Sequence, residues 1–315
     1  MSNRRWLISA NSLLDSARPG APRCPVSETV DFFAEAGFEA IDINFSGTIL
    51  TDPFTHEPML DGDRWREHME ALRARAQDRG LRIVHSHAPY HHRYDPLSEK
   101  YPAGTEMTRR AIEATGLLGG THIVMHPLMT PDRATTLADE TVAALEPLVR
   151  YAEGFGVRLA VENMRCTRPE TLAEIADRVG ADVCWDAGHA NICGLRQEES
   201  LTVLGSRVKV VHIHDNFGLR AGSLASEGPS CSDLHLPPFL GTINWDSFLR
   251  GLDRIGFTGA FNFEVPGSKL PPAVRLPYAR YLVRTAEELM DRLPAAGCRR
   301  AAKGGALTGF GPRRF

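Results

Sequence analysis

Six short apolar runs in this chain each end on a side chain able to bind a metal ion. They are V-H-S-H at His87, I-V-M-H at His126, L-A-V-E at Glu162, V-C-W-D at Asp186, V-V-H-I-H at His214 and A-F-N-F-E at Glu264. Runs of this kind read as strands, and strand side chains alternate with a period of two, so His212 and His214 project to one face. Of the twelve histidines, nine (His85, His87, His91, His92, His126, His189, His212, His214 and His235) fall late in such runs or in the segments after them. Carboxylate and imidazole without thiolate suit Mn²⁺, Co²⁺, Mg²⁺ or Zn²⁺. Each residue also has an ordinary role open to it, as a hydrogen-bonded core histidine, a helix cap or an ion-pair partner. Gathering Glu162, Asp186 and Glu264 at one place, however, would cost on the order of several kcal/mol in repulsion and desolvation unless a cation offset it.

These residues need elements to bring them together, and the chain alternates strand-like and helix-like segments eight times. Strands are expected over 6–13, 40–45, 81–87, 121–126, 158–164, 182–186, 208–214 and 260–265. Helices are expected over 26–37, 64–79, 105–118, 137–155, 169–179, 197–204, 244–255 and 273–293. Segments 46–63, 88–103 and 217–242 carry no such periodicity, and loops of that length are commonly functional. An open doubly wound sheet would want a Gly-rich phosphate turn after the first strand, which S-A-N-S-L-L does not supply. The alternation predicts an α/β chain folded as a single (β/α)₈ TIM barrel over 1–294, with its metal site at the C-terminal ends of the strands. The Gly- and Arg-rich tail, 295–315, has little to bury and is expected to be disordered.

Composition sets further bounds. At 43% hydrophobic and 24% charged the chain is an ordinary globular mixture, and its net charge of −3 gives no overall attraction to nucleic acid or anionic membrane. No apolar run reaches the ~18 residues a membrane span needs, and the apolar part of the start is too short for a secretory signal, so cytoplasm is the expectation. The six cysteines include no C-x-x-C pair, which argues against a disulfide framework or a zinc knuckle. Cys184 shares strand parity with Asp186 and is read as a packing residue. The sequence leaves open whether the chain forms a homo-oligomer.

Taken together, V-E-N-M, W-D-A-G-H, H-I-H-D-N, D-L-H-L-P-P and the late F-E resemble the xylose-isomerase-like TIM barrel superfamily. It holds sugar isomerases and epimerases, inosose dehydratases and the endonuclease IV type of abasic-site nuclease. The resemblance runs from about Ile8 to Leu293. By analogy with the epimerases it implies one divalent cation on Glu162, Asp186, His212 and Glu264. His212 is preferred to His214 because the family ligand stands three residues before an acidic residue, here Asp215. The endonuclease IV branch adds positions that here match His87, His126, His189, Asp233 and His235, for up to three zinc ions.

For a sugar or polyol substrate, the resemblance implies that Glu162 and Glu264 are catalytic. They would move a proton through an enediolate whose carbonyl and hydroxyl oxygens the cation chelates. Returning the proton gives epimerisation or isomerisation, the expected activity, and loss of a β-hydroxyl gives an inosose-type dehydratase. The alternative is metal-dependent phosphodiester cleavage in abasic DNA, with Tyr90 and Arg93 placed to contact it. The segment Ser46-Gly47-Thr48-Ile49-Leu50 lacks the basic and aromatic residues such a wedge needs. One departure from the superfamily pattern is Phe239-Leu240, where relatives usually carry Gly-Glu.

Overall fold

A computed structural model describes residues 6–15, 26–45, 60, 62–89, 101–132, 134–165, 167–218, 233–267 and 270–293. Eight parallel strands close into a barrel in sequence order. They are β1 (Ile8–Asn11), β2 (Ala40–Asn44), β3 (Arg82–His87), β4 (His122–Met125), β5 (Arg158–Glu162), β6 (Asp182–Asp186), β7 (Val208–Ile213) and β8 (Phe261–Phe263). Pairing of β8 with β1 closes the ring. Helices α1 (Val26–Ala36), α2 (Trp65–Asp78), α3 (Tyr101–Leu117), α4 (Ala138–Glu153), α5 (Pro169–Val179), α6 (Ala187–Ile192), α7 (Gln197–Leu204), α8 (Trp245–Ile255) and α9 (Pro272–Asp291) lie between and after them. The fold is therefore the (β/α)₈ barrel the alternation predicts. Tyr90, His91, His92, Arg93, the segment 46–50 and the tail 295–315 lie outside the described residues.

Outward-facing strand residues such as Ile41, Ile43, Ile123, Val161, Val183, Trp185, Val211, Phe261 and Phe263 are buried in the main apolar core. Truncating an aromatic of this layer, Phe261 for instance, is expected to cost about 3–5 kcal/mol. Trp185 is fully buried, and its indole N–H is satisfied by Gln197 Oε1 at 2.9 Å. Gly180 and Gly256, both left-handed at φ 74° and φ 68°, terminate α5 and α8. No helix among the described residues is long and apolar enough to cross a membrane.

Two irregularities decide what faces the barrel axis. Ile41 pairs with Ile83 but Asp42 pairs with His85, so Val84 is an extra residue in β3. Likewise Val183 pairs with Val208 but Cys184 with Val210, which makes Lys209 the extra residue of β7. A bulge reverses side-chain phase. Val208 therefore joins the outer core while Val210 joins a small inner cluster with Val124, Ala160 and Cys184. Beyond the bulges, His85 and His87 on β3, and His212 on β7 with His214 just after it, all keep the inward phase.

One helix starts well before its expected boundary, and one helix was not expected at all. The helix expected over 105–118 begins at Tyr101. The short α6 has no apolar periodicity in its sequence; it starts because Asp186 caps it, accepting from the His189 backbone N–H at 2.6 Å.

Candidate metal centre

Glu162, at the end of β5, stands at the middle of the site and is 1% exposed. Its Oε1 lies 3.2 Å from His212 Nδ1 and 3.4 Å from His189 Nδ1. Its Oε2 lies 3.3 Å from His87 Nε2 and 3.2 Å from His126 Nε2. The carboxylate therefore turns one oxygen to each of two imidazole groups. His212 Nδ1 is also 3.2 Å from Glu264 Oε2 and 3.8 Å from Asp186 Oδ2. Ligand atoms of Glu162, Asp186, His212 and Glu264 lie within 4.8 Å of one another, as do those of His87, His126 and Glu162.

A third group with the same closeness is His189, His214, Asp233 and His235. His189 Nε2 is 3.3 Å from Asp233 Oδ2, and His235 Nε2 is 3.4 Å from Asp233 Oδ1. His214 Nε2 sits 3.0 Å from Asp186 Oδ1, and its ring stacks on His235 with centroids 3.9 Å apart. The structure thus places His214 in the third group and gives His212 the position among the three carboxylates. Every candidate ligand named from the sequence lies in one continuous polar cluster at the C-terminal ends of the strands.

The remaining motif residues hold these in place. Asn163 accepts from the Asp186 N–H at 2.6 Å and donates to the Asp186 carbonyl at 2.9 Å, while its own carbonyl lies 3.0 Å from His189 Nδ1. Asp215 accepts from the backbone N–H groups of Asn216, Phe239 and Ile243 and from the indole of Trp245. Its carboxylate is committed to the 236–245 segment. A Cβ on Gly188 would sit 2.0 Å from His214 Cε1, so glycine in W-D-A-G-H is what lets that imidazole pack against α6. Phe239 is left-handed at φ 75°, a conformation that favours the glycine usual at its position, and its half-exposed ring carries the Arg292 guanidinium 4.8 Å from its centroid.

Asn163, Asn11, Asp42 and Asn262 are contributors that strand-end position alone does not mark. The alternation in A-I-D-I-N and F-N-F-E was the available signal, since it gives Asp42 the phase of Ala40 and Asn44, and Asn262 that of Glu264. Asn11 and Asn262 donate to Asp42 Oδ2 at 2.7 Å and 3.2 Å. Burial raises the Asp42 carboxyl to about 6. Cys184 lies inward beside His212, and burial pushes its thiol up to about 12, so it is neutral and packed.

Electrostatically the cluster is a balance of opposite charges. Burial would raise the Glu162 carboxyl, but His212, His126 and His189 hold it well below the usual carboxylate range. Burial likewise opposes ionisation of Glu264 and Asp233. His212 and His235 outweigh it at Glu264, and His189 and His235 at Asp233. The imidazoles respond in kind. Despite burial, His189 is held well above its usual value by Asp186 and Asp233, and His212 by the Glu264 and Glu162 carboxylates. His235 is raised to about 9, burial being outweighed by Asp233 and Glu264. At His126 burial prevails and the value falls. Protons on imidazole thus balance the carboxylates, and a divalent cation can replace them. The donor set fits: nitrogen and carboxylate oxygen converge in groups of three and four, with no thiolate.

Known proteins share this framework. The chain is 28% identical over 178 residues to the uncharacterized protein y4fM of Sinorhizobium fredii, covering 52% of this chain and 53% of that protein. It is 28% identical over 177 residues to the probable endonuclease 4 of Bacillus licheniformis, covering 49% of this chain and 58% of that one. The chain thus spans little more than half the length of these curated relatives. Among solved structures, a D-tagatose 3-epimerase-like protein superposes with a TM-score of 0.65 at 22% identity, covering 90% of this chain and 98% of that one, a likeness of fold. With a match to the family model over residues 30–290, the chain belongs to the xylose isomerase-like TIM barrel family.

Proposed function

We propose that the barrel is a metal-dependent enzyme acting on a small sugar or polyol carbonyl compound, as an isomerase or epimerase, with Glu162, Asp186, His212 and Glu264 holding the cation. The observation that carries this reading is that Glu162 and Glu264, from strands three apart around the barrel, both come within 3.2 Å of His212 Nδ1. A substrate seated there meets a carboxylate from each of two directions. A bound divalent cation would act as a Lewis acid, acidifying the C–H bond beside a chelated carbonyl. Glu162 and Glu264 then serve as the pair that accepts and returns the proton. His189 and His126 border the same space and can donate to substrate hydroxyls. Sugar 3-epimerases among the fold's structural neighbours agree with this reading.

A second reading has its own observation. Glu162 Oε2 faces His87 and His126, and His189, Asp233 and His235 form a further group, so the side chains suit several ions as well as one. Clustered cations favour phosphoester hydrolysis, and one curated relative is a probable endonuclease. Against a nucleic-acid substrate stands the charge of the segments that follow β2, β3 and β7 in the chain. Residues 46–59, 90–100 and 219–232 carry Arg93, Lys100 and Arg220 against Asp52, Glu57, Asp95, Glu99 and Glu227, which is no basic clamp for phosphates.

The test is turnover in D₂O by protein loaded in turn with Mn²⁺, Co²⁺, Mg²⁺ and Zn²⁺, using free ketoses and inososes. Deuterium is expected at the carbon beside the carbonyl, and Glu264→Gln should abolish its appearance while leaving sugar binding largely in place. Salt-sensitive cleavage of abasic DNA with no exchange into any ketose or inosose would overturn the first reading in favour of the second.

A further inference from the structure

Beneath the candidate metal centre the barrel axis is polar on one side. Ser9 Oγ, Asp42 Oδ1, His85 Nε2, His212 Nε2 and Asn262 Oδ1 are all buried and make no hydrogen bond among the described residues. They come from β1, β2, β3, β7 and β8, which are neighbours around the ring. The opposite side, from β4 to β7, is lined by the small apolar cluster of Val124, Ala160, Cys184 and Val210. Ligand-type atoms of Asp42, His85 and His212 lie within 4.8 Å of one another, the separation that one bridging water spans. From below, His85 also lines a cavity of about 400 Å³ at the N-terminal end of the barrel, with Glu39, Arg82, His122 and Lys209.

His212 has two ring nitrogens with different surroundings. Nδ1 faces Glu162, Asp186 and Glu264. If Nδ1 is the ligand, Nε2 must keep its hydrogen, so what it meets has to be an acceptor. Asp42 is built to be that acceptor. Its Oδ2 is taken by the Asn11 and Asn262 amides, Asn11 in turn accepts from Asn44 at 3.2 Å, and Oδ1 remains open. A cation between Asp42, His85 and His212 would instead need the lone pair that Nε2 lacks when Nδ1 is the ligand.

We propose that Asp42 is the positioning residue for His212, accepting the Nε2 hydrogen through ordered water and so holding Nδ1 as the nitrogen that faces the three carboxylates. This deepens the metal-enzyme reading and rests on it for its consequence, though not for the hydrogen bond itself. Outer carboxylates of this kind orient a ligating imidazole, and their loss typically weakens metal affinity ~10–100-fold.

The experiment is histidine ¹⁵N spectroscopy on the full chain, metal-free and Zn²⁺-loaded, together with Zn²⁺ affinity for the wild type, Asp42→Ala, Asp42→Asn and Cys184→Ala. In wild-type protein a downfield, slowly exchanging Nε2–H of His212 is expected in both states. Asp42→Ala should move it upfield and lower Zn²⁺ affinity by ~10–100-fold, Asp42→Asn should do the same because the Asn11 and Asn262 amides claim its one acceptor oxygen and leave an N–H donor toward the water, and Cys184→Ala should change neither. A zinc-loaded wild type whose His212 carries its hydrogen on Nδ1 would overturn the proposal even if no Asp42 variant folds. So would a folded Asp42→Ala with unchanged signal and affinity, or a Cys184→Ala that reproduces the loss. Protein that shows the Nε2–H signal yet takes up no metal would sink the metal reading and leave the role of Asp42 standing.

Discussion

If Glu162 is shared between two groups of ligands, removing it should do something that removing Glu264 does not. Its Oε1 lies 3.2 Å from His212 Nδ1, and its Oε2 lies 3.3 Å and 3.2 Å from His87 and His126 Nε2. Binding of a structural zinc ion is worth about 10–16 kcal/mol over four ligands, so a single ligand carries about 3–4 kcal/mol, or ~10²–10³-fold in affinity. Glu264→Ala should weaken one ion by that factor. Glu162→Ala should weaken two, because a ligand is lost from each of two groups. Without metal, the same change strips a buried counter-charge from His212 and His189, a loss of at most about 3–5 kcal/mol that the imidazoles can reduce by shedding protons. The assay is metal content after equilibration against graded chelator, for wild type, Glu162→Ala and Glu264→Ala in parallel, with urea unfolding as the control for folding. Glu162→Ala that keeps full metal content, or that loses no more ions than Glu264→Ala, would refute the shared-ligand argument.

Other outcomes follow from the same geometry. Gly188→Ala places a methyl group against the buried His214 ring, so a loss of about 1–3 kcal/mol in urea unfolding is expected, with weaker metal uptake at the third group; unchanged stability would contradict the close approach. At Phe239 the left-handed backbone should invert the usual ranking, Phe239→Gly being more stable than Phe239→Ala by about 1 kcal/mol, whereas a more stable alanine variant would mean the backbone is not strained there. His235 is raised from 6.5 to about 9, so its contribution to the metal-free fold is complete below pH 6.5 and lost as pH rises through about 9. Metal must displace those protons, so the stabilisation by metal should grow over the same interval, and melting temperatures should fall with rising pH in the presence of chelator but stay nearly level with metal bound between these pH values; parallel slopes would count against ligation by this histidine.

The sequence by itself determined the fold class and most of the candidate site. A period of two in short apolar runs, alternating with helical periodicity, is a local property, and eight repeats of it leave a closed barrel as the simplest way to bury every strand on both sides. The same local alternation put Glu162, Asp186 and Glu264 at strand ends. What it could not carry is phase across a bulge. Val208 and Val210 have the same parity in the chain yet face opposite sides of β7, because Lys209 is inserted between pairings that only the neighbouring strand defines. Alternation alone did not separate His212 from His214, which share a phase; the family motif did, and the tertiary structure supplies the physical reason, since one turns Nδ1 to carboxylates from β5, β6 and the end of β8 while the other stacks on His235. So was Asp42, whose meaning lies in Asn11, Asn262 and His85 brought beside it from three other strands. Chain order records which residues alternate, whereas distance between strands far apart in sequence is set by barrel closure, and that closure decides which nitrogen meets which oxygen.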